Sequence, residues 1–243
     1  MSGTRRIAAL RRKSRETDVL LRLDLDGGPA AASISTGIGF LDHMLATLSL
    51  HAGWALELRC SGDLEVDEHH SAEDCAIALG EALSRALARG APPRRFASAY
   101  APMDEALARA VVDLSGRPFC RSALELGGSR LGGLSAENVA HFLSSLAISA
   151  KITLHVDVLA GENSHHKAEA AFKALALALR QACAVTGGAV TGGAVAGGGG
   201  PGGGAGGESG PGSAGAGAGA SAKGSVELRE LSGDEYAAAR GGA

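Results

Sequence analysis

Two stretches of this chain are near-copies: His69-His70-Ser71-Ala72-Glu73 and His165-His166-Lys167-Ala168-Glu169. The copying extends well beyond them. Leu41, Met44, Leu45 and Leu48 recur 98 residues later as Val139, Phe142, Leu143 and Leu146, and the same offset carries His43 onto His141 (141 − 43 = 98). Trp54, Leu56 and Leu58 recur at that offset as Ile152, Leu154 and Val156. An offset of 96 (165 − 69) carries Ala72, Ala76, Leu79 and Leu83 onto Ala168, Phe172, Leu175 and Leu179. Agreement across helices, a strand and histidines identifies a duplicated unit, so each half must be able to fold as the other does. The two-residue difference falls in the loop before the His-His pair, where length is tolerated to vary.

Hydrophobic spacing says what that unit is. The 3-4-3 spacing from Leu41 to Leu48 predicts a helix over Phe40 to Leu50, and Ala72, Ala76, Leu79, Leu83 and Leu87 mark a second that ends near Gly90-Ala91-Pro92-Pro93. Alternation at Val19, Leu21, Leu23 and Leu25 before Asp26-Gly27-Gly28-Pro29 predicts a strand, as do Trp54 to Leu58, Ala108 to Val112 and, as a short addition, Asp63 to Val66. The fold class is therefore α+β, with repeats over 1–95 and 96–186. Most of the 37 glycines fall in 187–224, a Gly/Ala-rich composition expected to form a flexible insertion. Residues 225–243 are a tail expected to return one short strand to the body.

A net charge of −3 and 3% aromatic residues weigh against nucleic acid as a partner, since phosphate affinity needs a concentrated basic surface and base stacking needs rings. The one basic run, from Arg5-Arg6 through Arg11-Arg12-Lys13 to Arg15, reads as a solvated N-terminal segment. Four scattered cysteines without CxxC spacing, and no signal-peptide pattern, point to reduced core fillers in a cytoplasmic protein. No apolar run approaches the ~20 residues that span a bilayer, so no membrane partner is expected.

Six of the eight histidines occupy duplicated positions: His43, His69, His70, His141, His165 and His166. Imidazoles repeated with Glu73 and Glu169 suit a paired site for divalent transition metals, and the ligand types fit Mn²⁺, Fe²⁺, Co²⁺ or Zn²⁺ alike. Neither half has the HExxH or HxxEH order of zinc proteases. On a helix, i and i+3 share a face, so His70 can join Glu73 and His166 can join Glu169, while adjacent histidines diverge. Pseudo-symmetry then groups His43, His70 and Glu73 on one ion and His141, His166 and Glu169 on the other, with His69 and His165 crossing to complete the opposite site. The exchanged grouping, with His69 and Glu73 at i, i+4, stays open.

Gly37-Ile38-Gly39-Phe40-Leu41-Asp42-His43-Met44-Leu45, Gly62-Asp63 followed by Asp67-Glu68-His69-His70-Ser71-Ala72-Glu73-Asp74, Pro102-Met103-Asp104-Glu105-Ala106-Leu107, Asp113-Leu114-Ser115-Gly116-Arg117-Pro118 and Gly161-Glu162-Asn163-Ser164-His165-His166-Lys167-Ala168-Glu169-Ala170 together resemble the imidazoleglycerol-phosphate dehydratase family, in the family's order. The resemblance covers roughly Arg15 to Ala182. It implies tandem ribosomal-S5-domain-2-like units, each a four-stranded sheet packed on two helices. It implies a hydro-lyase of histidine biosynthesis, acting on a small phosphate substrate as a homo-oligomeric 24-mer with two divalent ions, Mn²⁺, per active site at subunit contacts. It supports the eight metal ligands named above, with His43, His69 and His165 also touching substrate. Glu16 matches a substrate-contacting glutamate and acid/base candidate, and His51 a further active-site position. Arg95, Arg117, Lys173, Ser221 and Lys223 match phosphate-binding positions. Asp104 and Glu105 are either groups that orient ligands or an acidic pair at a helix start. Where the family has Ser-Thr-Lys-Gly, this chain has Ser221-Ala222-Lys223-Gly224, displaced by the glycine-rich insertion. A metal-storage protein and an S5-like RNA-binding module are the competing classes, the latter disfavoured by charge.

Overall fold

The computed structural model describes residues 4–28, 32–127, 130–185 and 225–241. The first half runs β1 (Ile7–Lys13), β2 (Thr17–Asp24), β3 (Ser33–Ser35), α1 (Gly39–Ala52), β4 (Ala55–Gly62) and α2 (His69–Leu87). The second runs β5 (Phe96–Met103), β6 (Ala106–Asp113), β7 (Phe119–Ala123), a short hairpin of β8 (Arg130–Leu131) and β9 (Leu134–Ser135), α3 (Ala136–Ala150), β10 (Thr153–Ala160) and α4 (Ser164–Ala182). Strand order is β1-β2-β4-β3 in one sheet and β5-β6-β10-β7 in the other, each with an antiparallel hairpin at one edge and a parallel pair at the other. The two halves thus share one topology. After the Gly/Ala-rich stretch at 187–224, which lies outside the described residues, β11 (Glu227–Glu230) adds to the free edge of β1 as a fifth strand. The helix α5 (Gly233–Gly241) then packs on β1 and β2 and buries Tyr236.

Alternation produces the strands as expected. Val19, Leu21 and Leu23 of β2 and Leu56 and Leu58 of β4 turn one face to the core, where all are essentially inaccessible. Two sequence expectations need correction. Asp63 to Val66 forms no strand: the Val66 N–H donates to the Asp63 carbonyl at 2.8 Å, closing a turn. The basic run is no solvated segment either, because it builds β1. Its alternate residues Ala8 and Leu10 face the core, while Arg6 and Arg12 are buried with carboxylate partners. Arg6 donates to Asp26 at 2.6 Å and to the Cys183 carbonyl at 2.5 Å; Arg12 donates to Asp74 at 2.8 Å. All four cysteines are free, as expected of core fillers.

The helices of each half cover one face of that half's sheet, and the two helix layers pack on each other across the duplication, α1 on α4 and α2 on α3. Small residues allow this. The buried face of α2 carries Ala72, Ala76, Gly80 and Ala86, and that of α4 carries Ala168, Ala171, Ala174, Ala178 and Ala182. Gly80 is the tightest point: a Cβ there would stand 2.6 Å from the Leu146 carbonyl oxygen, 2.7 Å from Ser149 Cβ and 2.8 Å from the Ala150 nitrogen.

Gly80→Ala adds helix propensity worth about 1 kcal/mol but forces α2 off α3, an overpacking that costs about 1–3 kcal/mol. The expected outcome is a lower denaturant midpoint; an unchanged or raised midpoint would show that the helices separate freely. Asp74, fully buried, also accepts from Thr17 Oγ1 at 2.5 Å. Asp74→Ala should destabilise by about 3–5 kcal/mol because it strands the Arg12 guanidinium, and Arg12→Met/Asp74→Leu should recover most of that loss in the same denaturation experiment.

Candidate metal centre

Each His-His pair opens a helix whose first turn is capped from the preceding loop. Asn163 Oδ1 accepts from the His165 and His166 backbone N–H groups at 2.8 and 3.3 Å, and Asp67 Oδ1 accepts from His69 N–H at 2.8 Å. The caps fix where the imidazoles leave the helix. His69 and Glu73, at i, i+4 on α2, face His141 of α3; His165 and Glu169, at i, i+4 on α4, face His43 of α1. In each of these two groups the ligand atoms lie within 4.8 Å of one another, which fits use of a divalent metal. His141 Nε2 is 3.2 Å from Glu73 Oε1, and His43 Nε2 is 3.1 Å from Glu169 Oε2.

Inside one chain the structure does not gather His43 with His70 and Glu73, or His141 with His166 and Glu169; the i, i+4 pairing of His69 with Glu73, left open by spacing, is the one present, with His141 as its third member. The reason is tertiary: helices pair across the duplication, so α1 meets α4 rather than α2. His70 and His166 join neither triad. His70 Nδ1 is held by Asp63 Oδ2 at 2.9 Å and His166 Nδ1 by Glu105 Oε2 at 2.7 Å, which leaves the Nε2 atoms as the ring nitrogens for other partners. Asp104 Oδ2 stands 3.6 Å from His166 Nε2. Asp104 and Glu105 form the tip of the β5–β6 hairpin, not a helix start; Asp104 takes a left-handed φ of 48°, which aspartate tolerates, and so turns Glu105 toward α4.

Charge is distributed unevenly around the triads. Burial raises the Glu169 carboxyl pKa, but hydrogen bonds from Lys173 and His43 outweigh it and hold the group to about 2. Lys173 Nζ lies 2.7 Å from Glu169 Oε1. The Glu105 carboxyl is likewise held to about 2, by the Asn163 N–H and the His166 ring, and Glu105 in turn raises the His166 pKa. Burial, then the Lys173 ammonium, push the His51 imidazole below its ordinary value, so that it is neutral at pH 7. Glu16 lies in a cleft with Ser14, Gly62 and Asp63, and its Oε2 is buried with no hydrogen-bond partner among the described residues.

Not every expected site residue converges. Arg95 and Arg117 both pair with Asp113, at 2.8 and 3.7 Å. They stand at the start of β5, where the Arg95 N–H donates to the Ala182 carbonyl at the end of α4, whereas Lys173 lies nine residues earlier on α4, roughly 14 Å along the helix, and touches Met103 at the other end of β5. Ser221 and Lys223 lie outside the described residues. Three groups to which the sequence assigned no role are brought in by the structure: Asp63 behind His70 and Glu68 behind Asn138, both quoted only as motif residues, and Asn138 behind His69. Asn138 was legible in principle, being three residues before His141 and on its face of the helix.

A family model described as imidazoleglycerol-phosphate dehydratase matches residues 36–179. The chain is 50% identical over 198 residues to the imidazoleglycerol-phosphate dehydratase of Trichoderma harzianum, covering 72% of this chain and 95% of that one. It is 48% identical over 198 residues to that of Candida glabrata, covering 74% and 94%. Among solved structures, imidazoleglycerol-phosphate dehydratase from Staphylococcus aureus superposes with a TM-score of 0.66 at 36% identity, over 73% of this chain and 99% of that one. The enzyme from Pyrococcus furiosus in complex with (S)-C348 superposes with a TM-score of 0.63 at 34% identity, over 72% and 94%. With triads, capped His-His helices and duplicated sheets on a chain matched over this length, the protein belongs to the imidazoleglycerol-phosphate dehydratase family.

Proposed function

We propose that the two triads are the two halves of a dimetal dehydratase centre, each holding one Mn²⁺ and each completed by a histidine from another copy of the chain. The activity is that of the family: dehydration of imidazoleglycerol phosphate to imidazole acetol phosphate, a hydro-lyase step of histidine biosynthesis. The observation that carries the proposal is that one chain gathers two such sets, His43, His165 and Glu169 in one and His69, Glu73 and His141 in the other. Three ligands each leave open positions, and His70 and His166 present Nε2 with Nδ1 already held by a carboxylate, the usual support for a metal-bound imidazole. Supplied in trans, they bring together all eight ligands expected from the sequence. That arrangement requires a homo-oligomer, for which the family resemblance carries a 24-mer. Mn²⁺ too rests on that resemblance, since the donor set accepts several divalent ions.

The substrate must lose a hydroxyl beside its ring and a weakly acidic proton from the next carbon. A divalent ion held by the triad residues would supply Lewis acidity, lowering the N–H pKa of the substrate's ring, the activation such a step needs. The chain's own groups do the rest. Glu16 is the acid/base: its buried Oε2 is uncommitted, and it lines the same cleft as Asp63, which positions His70. His51, whose pKa is lowered first by burial and then by Lys173, can accept a proton nearby. Lys173 is the phosphate cation on the Glu169 side. Arg95 and Arg117 offer bidentate forks, but from the far end of the second sheet, so we assign them to a phosphate held by a neighbouring copy. His43, His69 and His165 flank the ring. Free cysteines suit a cytoplasmic enzyme, and among the described residues no helix is long and apolar enough to cross a membrane.

Protein loaded with Mn²⁺ should convert imidazoleglycerol phosphate to the acetol phosphate over many turnovers, and Glu73→Gln should lose turnover together with about one ion per chain. Full metal content in that variant would remove Glu73 from the ligand set. Glu16→Gln should keep its metal and lose turnover by about 10²- to 10⁴-fold; a variant within a few-fold of wild type would transfer the acid/base role elsewhere.

A further inference from the structure

A connection is longer in the second repeat than in the first. In the first, β3 ends at Ser35 and α1 begins at Gly39; in the second, β7 ends at Ala123 and α3 begins only at Ala136. The added length holds the hairpin of β8 and β9, which anchors Leu131 and Leu134 in the core and reaches across the duplication to the start of α2. There Arg130 Nη2 donates to Glu68 Oε2 at 3.1 Å, and the Ser135 N–H donates to Glu68 Oε1 at 2.8 Å. Glu68, buried and immediately before His69, is thus an acceptor held on both oxygens.

Between Glu68 and the ring of His69 stands the buried Asn138 of α3. Its Nδ2 makes a long contact of 3.5 Å with Glu68 Oε1, and its Oδ1 lies 2.9 Å from His69 Nδ1. A carboxylate that takes two other donors has only acceptor capacity to offer, so the amide turns its nitrogen to Glu68 and its oxygen to His69. That oxygen can only accept. His69 is therefore protonated at Nδ1, and Nε2 keeps its lone pair for the group it forms with Glu73 and His141. The His141 ring, stacked on that of His69 at a centroid distance of 4.8 Å, fixes the tilt of the imidazole. Packing alone does not call for an amide at this place, because the repeat-related residue is Phe40 (138 − 40 = 98), buried and wholly apolar.

We infer that Glu68 and Asn138 are positioning residues for His69: through the Asn138 amide they set its tautomer and ring direction, and so the affinity of the triad for a divalent ion. A ring that carries its proton on Nε2, or turns freely, must rearrange before it can bind. A ring whose Nδ1–H is already donated is presented ready, and is the more basic ligand. Neither positioning residue touches the ion. The inference rests on the reading, proposed above, of His69, Glu73 and His141 as a divalent-ion site.

The test is manganese bound per chain by the full-length protein over a series of EDTA-buffered free Mn²⁺ concentrations, read by atomic absorption. Asn138→Leu, close to asparagine in size, should release one of the two ions at about 10- to 100-fold higher free Mn²⁺ than wild type, the scale on which supporting hydrogen bonds tune metal affinity. It should keep the other ion, which depends on His43, His165 and Glu169. Reversing the polarity of the contact separates a hydrogen bond from packing. Asn138→Asp sets two carboxylates against each other and should weaken the same ion. Glu68→Gln/Asn138→Asp again pairs an amide donor with an acceptor for His69 Nδ1–H, and should return within a few-fold of wild type. This single and double pair decides the outcome if the leucine variant fails to fold. An Asn138→Leu protein that holds both ions as wild type does, or a double variant that binds no better than Asn138→Asp, overturns the positioning role while the metal reading stands. Wild-type protein that binds no manganese overturns both.

Discussion

The contact of helix on helix across the duplication is what the rest of this protein depends on. Neither half can build a triad by itself. A helix offers two ligands at i, i+4, and the third must come from a helix of the other repeat at the right depth and angle. Alanine faces on α2 and α4, with Gly80 against the Leu146 carbonyl, set that depth. The ligand geometry is thus inherited from core packing, and a change that separates α2 from α3 moves His141 away from His69 and Glu73 before it touches any ligand.

Around that shared frame, the two repeats have diverged in how they support their imidazoles. His70 is held from the turn that follows β4, through Asp63, whereas His166 is held from the β5–β6 hairpin, through Glu105. The first repeat has Ser14, Arg15 and Glu16 at the related hairpin, and there Glu16 Oε2 has no hydrogen-bond partner among the described residues. Duplication preserved the backbone and the metal-facing side chains while the groups behind them became free to change. A supporting hydrogen bond can come from any nearby loop that reaches the ring nitrogen, but a ligand cannot be moved without losing the site.

This division explains what could be read from the residues alone. The α+β units, the strands from Val19 and Trp54, the four main helices and the six paired histidines were legible because periodicity and duplication are local or self-comparing signals. The β1 strand was not, because Arg6 and Arg12 disguise a half-buried strand as a charge run until Asp26 and Asp74, remote in sequence, are known to neutralise them. The grouping of ligands was not either. Spacing along one helix cannot say which other helix lies opposite, so the choice between His70 and His165 as the neighbour of His43 waited on the packing of α1 on α4. Arg95 and Arg117 show the same limit: a motif's place in the chain says nothing of its distance from Lys173.

In the reading proposed above, the arithmetic of donors also constrains assembly. Each chain presents two triads and two histidines outside them, His70 and His166, so in a closed assembly every triad finds one histidine and none is left over. The donor and the acceptor of such a contact stand side by side at each helix start: the His70 ring lies 5.9 Å from the ring of His69, and the His166 ring 6.1 Å from that of His165. A helix end that both gives a histidine and receives one can close on a second copy, whereas an open chain of subunits would always end on an incomplete site.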